Sequence, residues 1–204
     1  MQASWTLNGS TASPAARCAD AEIAFWTLRA TRADGGDAFD LSVDCVNGAW
    51  QAEARLVSAG AWTVVLEAHA APAFSGSLVA SVTREVTVLA GDGVTPVSLD
   101  LAVGAVELSW TIDGRASGAA TVCPAEGVTF WVARLGERSV SVSCANGRWA
   151  TSFKAVPAGS AVARVEAHQG APSTGPLKLA KEGQVTVAPG STQTVTIDFS
   201  SSEL

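Results

Sequence analysis

Four cysteines are the residues with the most distinctive chemistry in this 204-residue chain. Cys18 and Cys45 lie in the first half, and Cys123 and Cys144 lie in the second. In each pair, one Cys precedes a strand and the other ends the next, so a hairpin would bring both to the same open end. We therefore predict two disulfides, 18–45 and 123–144, each stabilising the fold by about 3 kcal/mol. A zinc site is the alternative, but the sequence has no Cys-x-x-Cys spacing and only two His.

One ionisable pair is repeated, as Glu67-x-His69 and Glu166-x-His168. A two-residue spacing in a strand places both side chains on the same face, here the face opposite the apolar residues. The pair could bind a metal or a proton, but the sequence supplies no further ligands. We favour a solvated strand end that contributes to an interaction surface, and we predict no metal and no cofactor.

Two tryptophans recur at equivalent positions, each following a Phe. If Phe25 and Phe130 face the core, strand alternation turns Trp26 and Trp131 outward. An exposed Trp can stack on a sugar or fill a partner's pocket. We favour the other possibility, that a long loop or the neighbouring domain covers each ring.

No catalytic residues are predicted. The sequence contains no Gly-x-Ser-x-Gly elbow and no phosphate-binding loop. The two His occupy equivalent positions of a repeat, whereas catalytic groups normally converge on one place. We therefore predict that the protein is not an enzyme.

The elements that position these residues belong to an internal repeat. The run Cys45–Trp50 returns as Cys144–Trp149, and Ser4–Gly9 returns as Ser109–Gly114. Nearly the whole chain is covered by such matches, so it is a duplicated domain of about 100 residues. In each copy the Asn-Gly step predicts a tight hairpin turn with positive φ, with the Cys as a staple and the Trp in the core. The predicted domains are residues 1–103 and 104–204.

The strands are short and alternate with a period of two, with turns every 8–12 residues. This pattern predicts an all-β protein of two tandem antiparallel β-sandwich domains, prealbumin-like or immunoglobulin-like, with one disulfide each. The net charge of −6 and pI near 4.8 argue against nucleic acid as a partner. No apolar run is long enough to span a membrane. The first residues do not show a basic segment followed by an apolar one, so we expect that the leader has been removed if the protein is exported.

The final strands of each copy carry a resemblance to a known class. A Gly turn precedes Trp62–Leu66, and Val86–Val88, a second Gly turn and a last alternating strand follow. This resembles the prealbumin-like modules of carboxypeptidase regulatory-like domains and collagen-adhesin B-type repeats. With the paired Cys and Cys-x-Asn-Gly-x-Trp, it also resembles bacterial exported proteins and surface lipoproteins. Adhesin repeats often contain a Lys–Asn cross-link, but the first copy has no Lys, so the disulfide takes the stapling role there.

The sequence therefore predicts a non-enzymatic structural or adhesive protein, or a subunit of a surface assembly. Its expected location is extracellular, at the cell surface or periplasmic, with protein partners or other copies of itself. The alternative is a carbohydrate-binding module that binds glycans through Trp26 and Trp131. A third hypothesis is an accessory domain detached from an enzyme.

Overall fold

A computed structural model describes residues 1–11, 14–55, 57–71, 76–91, 93–116, 123, 127–145, 148–170 and 175–204. The chain is nearly all β, with one disulfide in each half, which confirms the predicted fold class. It divides into two compact units. Unit 1 is Met1–Gly104 with Lys154–Pro157, and unit 2 is Ala105–Phe153 with Ala158–Leu204.

The described part of the first half contains seven strands and one short helix. A four-stranded sheet has the order β3-β2-β5-β6, and a three-stranded sheet has the order β4-β1-β7. The elements are β1 (Gln2–Leu7), α1 (Pro14–Ala21), β2 (Phe25–Arg32), β3 (Ala38–Asp44), β4 (Gln51–Glu53), β5 (Gly60–His69), β6 (Leu78–Val88) and β7 (Pro96–Leu101).

The second half repeats this arrangement, with sheets in the orders β10-β9-β12-β13 and β11-β8-β14. A 3-10 helix, Ser201–Glu203, follows the last strand. Among the described residues, no helix is both long and apolar enough to cross a membrane. The strands are β8 (Val103–Ile112), β9 (Phe130–Leu135), β10 (Arg138–Ser143), β11 (Ala150–Pro157), β12 (Gly159–His168), β13 (Leu177–Val187) and β14 (Thr192–Phe199).

Among the strand pairs whose register is described, the parallel ones are those between the first and last strands of each repeat, and the others are antiparallel. β1 pairs with β7, and β8 pairs with β14, in parallel. A side-chain clamp accompanies this pairing: the Thr6 hydroxyl and the Gly9 N–H both donate to Asp100 Oδ1, at 2.6 and 2.8 Å. Thr111 and Gly114 bind Asp198 in the same way. These contacts explain why the Thr and Gly near the start of each repeat are matched by an Asp near its end.

Each core is centred on three tryptophans. In unit 1 the ring of Trp26 packs edge-on against Trp5 and Trp50, with centroids 6.4 and 5.4 Å apart. In unit 2 the corresponding distances are 6.0 and 5.5 Å. Edge-to-face contacts of this kind add to the stabilisation that burial of the rings provides. The equivalent residues in unit 2 are Trp110, Trp131 and Trp149.

Candidate functional site

Both predicted disulfides are present. Cys18 bonds Cys45 and Cys123 bonds Cys144, with Cα atoms 5.9 and 5.8 Å apart. All four residues are buried. As predicted, Cys18 precedes β2 and Cys45 follows β3, at the open end of the β2–β3 hairpin, and Cys18 itself lies in α1. The bridge therefore ties this helix to the residue that follows β3.

The Asn-Gly step of the first copy is not the predicted hairpin turn. Neither Asn47 nor Gly48 has a positive φ. Instead, the Gly48 N–H donates to Asp44 O, and the Asp44 carboxylate accepts the N–H groups of Val46 and Asn47. Gly is required here for space: a Cβ at residue 48 would lie 2.3 Å from Asp44 O. The turn joins β3 in one sheet to β4 in the other, so it is a crossover between sheets.

The Trp after this turn donates a hydrogen bond back to the Cys that begins the motif. The Trp50 indole N–H donates to Cys45 O at 2.9 Å, and Trp149 donates to Cys144 O at 3.0 Å. Both rings are buried, as predicted. The second Asn-Gly, at 146–147, lies outside the described residues. The repeated motif is therefore a structural staple rather than a reactive site.

The prediction that Trp26 and Trp131 face outward is wrong. Both are 0% exposed. Alternation holds in β2, but its phase is the reverse of the prediction, because Trp26, Leu28 and Ala30 supply the inner face. Phe25 lies on the outer face of the sheet, where it stacks on a His. Glycan binding by stacking on these two tryptophans is thereby excluded.

The repeated Glu-His pair forms a cluster with this outer-face Phe. In unit 1 the His69 ring stacks on Phe25 with centroids 4.7 Å apart. His69 Nε2 lies 3.3 Å from Glu67 Oε2, and Nδ1 lies 3.3 Å from Gly76 O. The Arg29 guanidinium lies 3.6 Å from the same carboxylate. Both ring nitrogens thus face oxygen acceptors, one of them on the chain that leads into β6.

The cluster of unit 2 is more tightly connected. His168 stacks on Phe130 at 4.8 Å and approaches Glu166 Oε2 at 3.2 Å. Arg134 and Arg164 donate to the two oxygens of Glu166 at 3.1 and 2.9 Å. Burial raises the pKa of Glu166, but the hydrogen bonds from His168 and the two Arg outweigh it. The pKa of Glu166 therefore lies below its ordinary value.

These pairs are not the solvated strand ends that we favoured from the sequence. The side chains of Glu67, His69, Glu166 and His168 are only 9–17% exposed. They therefore present little surface to a partner. Across the part of the chain that the structure describes, no three His, Cys, Asp or Glu side chains come together as a metal site. The arrangement stabilises the outer face of each four-stranded sheet.

A different feature offers a partner more surface: the free edge of β3. The Arg32 N–H donates to Asp37 O at 2.8 Å, and the Cys45 N–H donates to Ala24 O at 3.0 Å. In an antiparallel ladder every second residue pair is hydrogen-bonded, and both these bonds share the β2–β3 register. The intervening residues of β3 therefore direct their N–H and C=O groups away from β2. These residues are Ala38, Asp40 and Ser42.

Within the described residues, no strand pairs with this edge. Beside it lies a groove of about 630 Å³, between β3 and β4, at the open side of the sandwich. Trp62 is fully buried beneath it, whereas Leu41 is 41% exposed. Asp37, Glu53 and Arg55 are among its polar residues. We call this feature the β3–β4 groove; its apolar lining is Phe39, Leu41, Ala52, Ala54, Val57 and Trp62.

Sequence reasoning missed the groove, although a signal was present. Ala54 in the first copy aligns with Phe153 in the second, a bulky residue that is buried. Trp62 aligns with Ala161. The large side chain is therefore Trp62 of the four-stranded sheet in the first copy and Phe153 of the three-stranded sheet in the second. Comparing repeat positions for size, rather than for identity, would have pointed to this region.

Charge also distinguishes the two copies. Residues 1–104 contain 11 acidic and 5 basic residues, and residues 105–204 contain 8 of each. The whole net charge of −6 therefore belongs to the first copy. The groove and the free β3 edge lie in that acidic copy.

No protein family matches the sequence, and no curated protein is similar to it. Similar solved structures include a putative polysaccharide-binding protein of Bacteroides thetaiotaomicron, at 10% identity and TM-score 0.48, covering 100% of this chain and 92% of that one. A putative adhesin from the same organism has 7% identity and TM-score 0.43, covering 97% and 91%. The minor pilin GBS52 of Streptococcus agalactiae has 13% identity and TM-score 0.41, covering 98% and 95%.

This chain spans only 26% and 35% of the length of two further, larger proteins with similar structure. At such identities and with TM-scores below 0.5, the similarities assign neither a family nor a function. What the chain does must be argued from its own surface.

Proposed function

We propose that this protein is a non-enzymatic structural or adhesive element at the surface of a bacterial cell. The observation that carries the proposal is the same in both units: a disulfide-stapled sandwich whose four-stranded sheet ends, among the described residues, in a strand that pairs with another strand on one side only. In unit 2 this strand is β10, and its ladder to β9 continues to the Cys144 N–H bond with Thr129 O. Unpaired strand edges are templates for pairing with another chain.

Three features support a location outside the cytoplasm and a mechanical role. Buried disulfides persist in oxidising compartments. Each one ties the segment before β2 or β9 to the end of the next strand, so local opening of the sandwich is restricted. The clamps at Asp100 and Asp198 join the first and last strands of each repeat. We therefore expect such units to resist opening when their ends are pulled, which suits an element that holds cells or subunits together.

The test uses antibodies against the folded protein on native cells. We expect intact cells to be labelled, whereas an antibody to a cytoplasmic protein labels only permeabilised cells. We also expect a deletion strain to lose attachment or cell–cell aggregation, and the intact gene to restore it. Labelling that requires permeabilisation, or a deletion strain that attaches normally, would contradict the proposal.

A further inference from the structure

We infer that the β3 edge of unit 1 binds an extended segment of another protein, with alternating apolar residues flanked by Lys or Arg. The inference deepens the proposed function, on which it rests, by naming the chemistry of one partner. The bound segment would add a fifth strand to the sheet beside β3. Its inward side chains would cover the β3–β4 groove.

The backbone supplies the first part of the argument. Ala38, Asp40 and Ser42 direct N–H and C=O groups to the open edge, and no described backbone group pairs with them. They span five residues, so an added strand of about five residues would satisfy them all. Strand addition of this kind takes its affinity from main-chain hydrogen bonds and its specificity from pockets for alternate side chains.

The groove supplies the second part. Phe39 and Leu41 lie on the inner face of β3, because they pair with the core residues Ala30 and Leu28. Yet Leu41 remains 41% exposed, since β4 has only three residues and leaves this end of the sandwich open. An apolar side chain on the added strand would be shielded from water against Leu41 and Phe39. Alternation of apolar and polar residues is therefore required of the partner.

The acidic residues of the groove favour basic residues on either side of the bound segment. The groove contains Asp37, Asp40 and Glu53 against Arg55, and Arg55 already pairs with Glu53 at 3.2 Å. The first copy as a whole has a net charge of −6. Two such edges from two copies would repel each other. A segment flanked by Lys or Arg is attracted instead, and such complementarity favours the correct partner.

The experiment measures binding of a labelled peptide to the intact protein by fluorescence anisotropy. The probe is acetyl-Lys-Lys-Val-Thr-Val-Thr-Val-Lys-Lys-amide, and the matched peptide has Glu in place of every Lys. We expect the Lys peptide to bind at least tenfold more tightly, with the difference shrinking as salt is raised. Equal binding of the two peptides would overturn the role assigned to charge.

Two Pro substitutions locate the site. Ser42→Pro removes an N–H that points to the open edge while sparing the backbone bonds to β2, and Ser141→Pro does the same on β10. Ser42→Ala controls for the side-chain hydrogen bond between Ser42 and Thr27 of β2. We expect Ser42→Pro to weaken binding at least tenfold, and Ser141→Pro and Ser42→Ala to change it less than twofold. Equal effects of the two Pro variants, or no effect of either, would overturn the inference.

A groove variant keeps the test valid if Ser42→Pro fails to fold. Ala54→Phe fills the β3–β4 groove and leaves the β3 backbone intact, so we expect at least tenfold weaker binding. Unchanged binding would overturn the groove's role. Sedimentation of the protein alone tests whether a second copy occupies the edge. A wild-type dimer that becomes a monomer on Ser42→Pro would mean that a second copy, not a basic segment, binds there and would overturn the inference. Failure of these tests would leave the surface-labelling result on native cells standing.

Discussion

In each unit a buried aromatic ring packs against the start of the edge strand, β3 or β10. The ring comes from the four-stranded sheet in unit 1 and from the three-stranded sheet in unit 2. In unit 1 the large ring is Trp62 on β5, and Phe39 of β3 packs against it with centroids 6.3 Å apart. In unit 2 the large ring is Phe153 on β11, and the Arg138 guanidinium lies 5.5 Å from its centroid. Phe39 and Arg138 occupy equivalent positions of the repeat. Each ring therefore contacts the residue at the same repeat position of β3 or β10, although a different strand supplies the ring.

The difference has a consequence at the surface. Because Phe153 comes from β11, that strand carries a large side chain at the position where the first copy has Ala54, the residue that follows β4. Unit 1 is left with the β3–β4 groove beside a free strand edge. After duplication, moving the large aromatic side chain from one sheet to the other keeps the core filled. It also leaves the first copy with a groove that the second copy need not have. Core volume, rather than the identity of each residue, is what the fold conserves.

The largest expected effect tests this exchange directly. Trp62→Ala should destabilise unit 1 by about 4 kcal/mol, because a fully buried ring is lost and a cavity remains. Adding Ala54→Phe to this variant imitates unit 2 and should recover more than half of the loss. Urea unfolding followed by circular dichroism measures both changes. A double variant no more stable than Trp62→Ala would show that the two rings do not occupy equivalent space.

The disulfides should not distinguish the units. Their sequence separations are 27 and 21 residues, and loop-closure entropy depends only weakly on length. Replacing either pair by Ala should therefore cost about 3.5 kcal/mol. Urea unfolding of the two double-Ala variants tests this equality. Costs that differ by more than about 1 kcal/mol would mean that strain or residual denatured structure, rather than loop closure, dominates in one unit.

The Glu-His clusters should give a smaller, unequal effect. Glu166→Gln should destabilise unit 2 by about 1–2 kcal/mol at neutral pH, since charge-assisted hydrogen bonds to Arg134, Arg164 and His168 are weakened. Glu67→Gln should cost less, because Arg29 lies 3.6 Å from its carboxylate. Chemical denaturation of the two variants at pH 7 compares them. A larger loss for Glu67→Gln would reverse the ranking of the clusters.

The same carboxylate predicts a pH dependence. Its pKa is lowered in the folded state by His168 and the two Arg, despite the opposing effect of burial. Its stabilising contribution is therefore fully present above the ordinary value near 4.5 and is lost as pH falls through the folded pKa. Glu166→Gln should accordingly flatten the acid limb of the stability profile. Parallel acid limbs for variant and wild type would contradict this assignment.

Local sequence was sufficient for the class of fold and for the staples. Period-two alternation and the repeat predicted two stapled sandwiches, and the Cys pairing predicted from spacing is confirmed. Spacing works here because residues at equivalent repeat positions must serve the same role in both copies. The burial of Trp50 and Trp149 followed from the same reasoning.

Only the tertiary structure decided which face of each strand is inside. In β2, Phe25 and Trp26 are both apolar and both buried, one under a stacked His and the other in the core. Alternation specifies that neighbours oppose each other, but not which of them faces the second sheet. The prediction of an Asn-Gly hairpin turn failed for a related reason, since β4 pairs with β1, far earlier in the chain, rather than with β3. The free edge and its groove likewise depend on which strands pair, which no local pattern encodes.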